Sequence, residues 1–297
     1  MTSSFNRWKS TQSYSWPFRV FKKYYEELNL MYWSSIGAHN YIYPSMHDDN
    51  LTWETDPTNI LSIPKEKYNF NTLRKWSNGY NLTQVWGRLN LTVSLNAIFE
   101  TYLSTITALS IESDPGVLIH ARNSIDGIKF LKSKGFPRDL YDSYIRAITN
   151  GPWSARLAAL SNLFNYDFPI LSTHLKTLEE LRKKRNSVGH AYGRDISKSR
   201  QFLVLEKQSI DGVSDKTLLR FFDAVFRVAK EIDNYLLQNH IGEYQIILAY
   251  HEYLKTNNPK GGIKERAYTF RTFYGKKYSN KITRAFCIDL ISLYDLQ

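Results

Sequence analysis

The sequence predicts a mainly α fold: a bundle of four to five helices over residues 80–240, preceded by a mixed or irregular extension and followed by a basic helical tail. Three observations carry this expectation. Apolar residues recur at three- and four-residue steps through the middle of the chain. Gly- and Pro-containing breaks separate those stretches. An apolar share of 42% over 297 residues is ample for a sizeable core. The chain therefore divides into 1–79, of unassigned fold, 80–240, the bundle, and 241–297, a basic aromatic helical segment.

Residues 1–79 are rich in Trp, Tyr and Asn, with turn signals at "YPSM", "TDPT" and "SIPK". A short basic helix around "FRVFKKYYEELNL" is expected, then irregular or short extended segments. His47, Asp48 and Asp49 in "MHDDN" resemble metal ligands. With no second ligand cluster at a recognisable spacing they read as a solvated loop, and no metal site is expected.

The bundle opens with "NLTQVWGRLNLTVSLNAIFETYLSTITALSIESDPG", where Leu95, Ile98, Tyr102, Ile106 and Leu109 line one face and "SDPG" stops the helix. "GVLIHARNSIDGIKFLKSKGF" predicts a second helix broken by Gly127, and "NGPWSARLAALSNLF" a third, with Asn150 as cap and Pro152 in the first turn. A fourth follows in "PILSTHLKTLEELRKKRNSVGHAYG", with a stripe of Leu171, Leu175, Leu178 and Leu181 and Ser172 as a candidate cap. "RQFLVLE" reads as an extended connector. The fifth, "SDKTLLRFFDAVFRVAKEIDNYLLQNH", sets Leu219, Phe222, Phe226, Ala229, Ile232 and Leu236 on one face.

After residue 240, "EYQIILAYHEYLKT" predicts a helix and "NNPKGG" a linker. "IKERAYTFRTFYGKKYSNKITRAF" interleaves basic and aromatic residues. It either offers phosphate contacts and stacking faces to a nucleic-acid strand or folds with its aromatics in the core and its charges in water.

The formal net charge of +11 favours a polyanionic partner. A single cysteine, Cys287, excludes an intrachain disulfide and fits a reducing compartment. The start lacks a secretory apolar run, and no stretch approaches the roughly 18 apolar residues that span a bilayer. A cytoplasmic protein without membrane contact or cofactor is expected.

"RNSVGHAY" ends the fourth helix. Basic residues in a last turn and Gly just beyond it are ordinary helix-end chemistry. The sharper reading pairs Arg185, a permanent forked cation, with His190, which can move protons near neutrality, while Asn186 orients the imidazole or a ribose. On an ideal helix Arg185 and His190 lie about 140° apart. Either Gly189 loosens the turn, or the Arg side chain bends round, or two chains share one site.

With Arg185, Asn186, His190 and Tyr192 so spaced, residues 80–240 resemble the HEPN family of helical bundles, whose ribonuclease branch carries arginine, a polar residue and then histidine. The resemblance implies a metal-independent endoribonuclease that cleaves RNA by 2′-hydroxyl attack, acting as a homodimer and as a toxin or anti-phage effector. It also implies that Tyr192 is where an antitoxin, a cognate nucleotidyltransferase, would attach AMP. Glu100 is a candidate support for Arg185 or His190, and Arg182, Lys183, Lys184 and Arg194 are candidate RNA-backbone contacts. His120, Thr173 and His174 read as structural. The alternative is a non-catalytic nucleic-acid- or nucleotide-binding scaffold of the same family.

Overall fold

The structure, a computed structural model, describes residues 5–47, 51–61, 71–133, 135, 137, 139–194 and 208–297. The fold is mainly α, and among the described residues there is no strand. The helices are α1 (Trp16–His47), α2 (Thr58–Leu61), α3 (Leu73–Ser113), α4 (Ile128–Lys132), α5 (Asp139–Thr149), α6 (Trp153–Phe164), α7 (Pro169–Ala191), α8 (Asp215–Leu236), α9 (Tyr244–Asn257), α10 (Ile263–Tyr278) and α11 (Arg284–Leu296). Among the described residues there are also a 3-10 turn, Pro115–Ile119, and a π turn, Leu237–Ile241. Among the described residues no helix is long and apolar enough to cross a membrane.

Contacts divide the chain into two units. The first holds residues 1–21, 100–175 and 226–297; the second holds 22–99 and 176–225.

In the second unit, parts of α1, α3, α7 and α8 surround a core that includes Leu28, Tyr32, Leu89, Phe99, Leu178, Leu181, Phe221 and Val225. Aromatic and polar side chains join the segments. Tyr25 meets Phe222 edge-on at 5.4 Å between centroids, His39 stacks on Tyr80 at 5.5 Å, and Arg220 bridges to Glu180 at 2.7 Å.

The first unit is organised by buried polar anchors as well as apolar packing. Arg7, 6% exposed, donates to Ile241 O at 2.9 Å and to Ser113 Oγ at 2.9 Å, and pairs with Asp126 at 3.3 Å. The Glu231 carboxylate accepts the Ile170 and Leu171 N–H groups at 2.7 and 2.8 Å. It thereby serves the orphan donors that a proline start leaves at the head of α7. Helices α9, α10 and α11 close over Tyr250, Phe270, Tyr274, Cys287, Leu290 and Ile291.

Several local expectations are corrected. The short basic helix of the N-terminal zone is a 32-residue helix that runs through Pro44, because proline in the last turn sacrifices only its bond back to Asn40. Helix α3 begins at Leu73 rather than near residue 81, and its Gly79 and Gly87 face open space. The broken second helix reduces to the 3-10 turn and short α4, while α5, unanticipated, buries only Tyr141 and Ile148.

Pro152, not Asn150, is the N-cap residue of α6. Ser172 lies inside α7, whose head is served by Glu231. On α8 the buried face runs through Leu218, Phe221, Phe222, Val225, Ala229, Ile232 and Leu236, whereas Leu219 is exposed. In the tail, Phe270 and Tyr274 are fully buried while Lys264, Arg271, Lys276 and Lys277 face water, which is the packed-core reading. "RQFLVLE", Asp48 and Asp49 lie outside the described residues.

Candidate active site

The candidate motif occupies the end of α7 in the second unit. Leu178 and Leu181 are fully buried and fix which face of the helix points inward. Arg185 continues that stripe at the next helical step and is half-buried. Its Nη1 donates to Asn186 Oδ1 at 3.0 Å. His190 lies on a different face, exposed, in the last turn. The helix is unbroken through Gly189, so the first of the three geometric options, a loosened turn, is not the one adopted.

An added Cβ at Gly189 would meet nothing within 4 Å. Gly189→Ala is therefore expected to stabilise the fold by about 0.5–1 kcal/mol, read from the urea midpoint, because alanine loses less backbone entropy in a helix. A destabilised variant would contradict the open surroundings of that turn.

Beyond the helix the chain turns back through a left-handed residue. The Gly193 N–H donates to Ser187 O at 3.1 Å, and Tyr192 takes the left-handed conformation at φ 56°. Glycine is the usual residue there, so a tyrosine carries backbone strain. Gly193, at φ 68°, is needed as well, since a Cβ would come within 3.1 Å of Leu89 Cδ1.

The Tyr192 ring leans on Trp86 at 4.5 Å between centroids, and the Arg194 guanidinium lies 5.1 Å from that ring. Arg194 also donates to Gln208 O and Tyr192 O, each at 2.9 Å. Tyr192 remains 68% exposed, so its side chain is open to a macromolecular partner.

The basic cluster is less naked than its sequence suggests. Arg182 bridges to Glu179 at 2.6 Å and Lys184 to Asp211 at 2.5 Å, while Lys183 is exposed. Glu100 belongs to the first unit and pairs at 3.0 Å with Arg156, a partner that sequence reasoning did not name. Arg156 is 3% exposed, donates to Gly151 O at 3.0 Å and lies over the Trp153 ring at 4.8 Å. His120 sits on an exposed turn, and His174 is half-buried in α7.

A second polar feature of this unit was not legible beforehand. Tyr32 donates to Asp215 at 3.0 Å, and Arg88 approaches the same carboxylate at 3.6 Å while donating to Val213 O at 2.6 Å. Burial, with the Asp215 bond second, pushes the Tyr32 phenol up to about 12.

Comparison with protein-family models, with curated proteins and with solved structures finds no match.

What the motif offers chemically is a fixed cation, an amide bonded to it, and a solvent-accessible imidazole one turn on. On one helix these groups face different directions, so a single chain does not aim both at one point.

Proposed function

We propose that the protein is an endoribonuclease of the HEPN type that cleaves RNA by internal attack of a ribose 2′-hydroxyl. The observation that carries this reading is the end of α7, where Arg185 is hydrogen-bonded to Asn186 and His190 stands exposed in the last turn. In the reaction one imidazole takes the 2′-hydroxyl proton and the 2′-oxygen bonds to phosphorus. The bond from phosphorus to the 5′-oxygen breaks, and that oxygen leaves with a proton from an acid. Arg185 offsets charge on the non-bridging oxygens as the phosphorane forms. DNA, lacking the nucleophile, is not a substrate.

Base and acid are two roles, and Arg185 and His190 diverge on one helix. A homodimer that brings two copies of the motif to one cleft supplies both, with α7 at its interface. The exposed Tyr192 suits silencing by a nucleotidyltransferase antitoxin. A cytoplasmic toxin or anti-phage effector is the setting this reading implies.

The test is end chemistry. RNA treated with the purified chain in EDTA is expected to carry 2′,3′-cyclic phosphate and 5′-hydroxyl ends. Cleavage that leaves 3′-hydroxyl ends, or that stops when divalent ions are removed, overturns the proposal.

One observation favours the second reading, a non-catalytic nucleic-acid- or nucleotide-binding scaffold: Arg185 and His190 lie on different faces of one unbroken helix, which suits separate phosphate contacts better than one reaction centre within a chain. RNA affinity without cutting at any protein concentration would select it.

A further inference from the structure

The first unit contains a groove of about 680 Å³ that none of the readings above uses. It is bounded by the N-terminal segment 5–13, by Glu243, and by the loop that leads into α11. Its walls are mixed in character, and each wall matches a different part of one kind of ligand.

At one side the groove meets the head of α11, a 13-residue helix. Thr283 caps this helix by accepting the Phe286 N–H at 3.1 Å, and Ala285 of the first turn lines the groove. A helix head presents N–H groups and positive potential to an anion. Lys281, exposed, adds a full charge beside it. Lys9 gives one N–H to Gln238 O at 3.1 Å and has two more to offer. Arg19 donates to Gln12 at 2.9 Å and also lines the groove. Asp289 opposes these three cations, so the site suits a ligand that is anionic at one end only.

The second feature is independent of the helix. Glu243 lines the groove and is 1% exposed. Its Oε1 accepts the Thr11 N–H at 2.5 Å, whereas its Oε2 has no partner among the described residues. Burial raises its pKa against the opposing Thr11 bonds and the charge of Arg7. A buried carboxylate oxygen left unpaired is costly, and an N–H donor on a ligand removes that cost.

The third feature is an apolar wall. Phe5 and Phe286 meet edge to face at 5.5 Å between centroids, beside Ile282. Such a surface accepts an aromatic ring.

Phosphate, ring and ring N–H together describe a nucleotide. We propose that this groove binds a nucleoside phosphate, with the phosphates at the head of α11 near Lys281 and Lys9 and a base N–H on Glu243. The volume lies within the range of ordinary small-molecule sites.

Titration calorimetry and thermal shift on the full chain test it, with ATP, GTP, AMP, inorganic triphosphate and inorganic phosphate as separate probes. At least one nucleotide is expected to raise Tm and to bind more tightly than inorganic triphosphate. Lys281→Glu, at an exposed position, is expected to weaken every phosphorylated probe by about tenfold. Glu243→Gln is expected to weaken the nucleotide by about tenfold and to leave triphosphate binding unchanged.

Absence of any shift at millimolar nucleotide overturns the proposal. So does binding that Lys281→Glu leaves intact, or inorganic triphosphate matching the best nucleotide. Should Glu243→Gln fail to fold, the Lys281→Glu result and the probe series still decide. Because the readout is binding, the outcome is independent of whether the chain cuts RNA.

Discussion

His190→Ala, which withdraws base and acid together from the shared cleft, is expected to lower RNA cleavage by at least about 10²–10⁴-fold, the usual contribution of one positioned acid or base, while thermal unfolding stays close to wild type. The side chain is exposed and its imidazole supports no core packing, so stability and activity separate at this position. Arg185→Ala is expected to remove a comparable share of activity by withdrawing the charge that faces the phosphorane. Mixing the two inactive chains gives a sharper result. If one cleft draws on both protomers, Arg185→Ala and His190→Ala subunits unfolded and refolded together recover part of the activity, because a heterodimer retains one Arg185 and one His190. Gel-resolved cleavage of labelled RNA checks this. No recovery, in a mixture shown to form heterodimers, would remove the shared cleft.

The second large effect concerns pH and stability in the first unit. Asp233 is fully buried, and the Ser15 N–H lies 3.3 Å from each of its oxygens while the Ser15 hydroxyl bonds one of them. Burial nevertheless dominates those bonds and raises its pKa from 3.8 to about 6. A carboxyl whose folded value lies above its unfolded value contributes stability that is complete below pH 3.8 and is lost as pH rises through about 6. The expected size is about 3 kcal/mol.

His240 acts in the opposite sense. Burial lowers its pKa from 6.5 despite the bond to Asp114 at 2.9 Å, so its contribution is present above pH 6.5 and falls as the pH drops toward its folded value. The two slopes offset each other in the wild-type chain. Asp233→Asn separates them: the unfolding free energy of wild type minus that of the variant should decline by about 3 kcal/mol from about pH 3 to about pH 7, the His240 term cancelling in the difference. Urea titrations across that range measure it. A flat difference would mean that Asp233 is not held above its ordinary value.

How much was readable in advance depended on where each signal resides. Leu171, Leu178 and Leu181 on α7, and Phe222, Ala229, Ile232 and Leu236 on α8, repeat at helical steps and are buried as that repeat predicts. The N-terminal helix hid because its contacts are aromatic and polar. His39, Tyr43, Trp76 and Tyr80 pack ring on ring between α1 and α3 and leave no aliphatic period to read. Helix α5 was legible and passed over: Tyr141, Ile145 and Ile148 recur at four- and three-residue steps on its inward face.

The motif itself was visible because Arg185, Asn186 and His190 are sequence neighbours at a helix end. The partners that temper it were visible only in part. Glu179 stands three residues from Arg182, a spacing that helix geometry announces. Asp211 reaches Lys184 from 27 residues away, and Arg156 reaches Glu100 from 56, distances that no local rule spans.

The inward row of α7 runs leucine, leucine, arginine. At its third station close packing alone would choose an aliphatic group, so the half-buried guanidinium gives up packing that the two leucines supply.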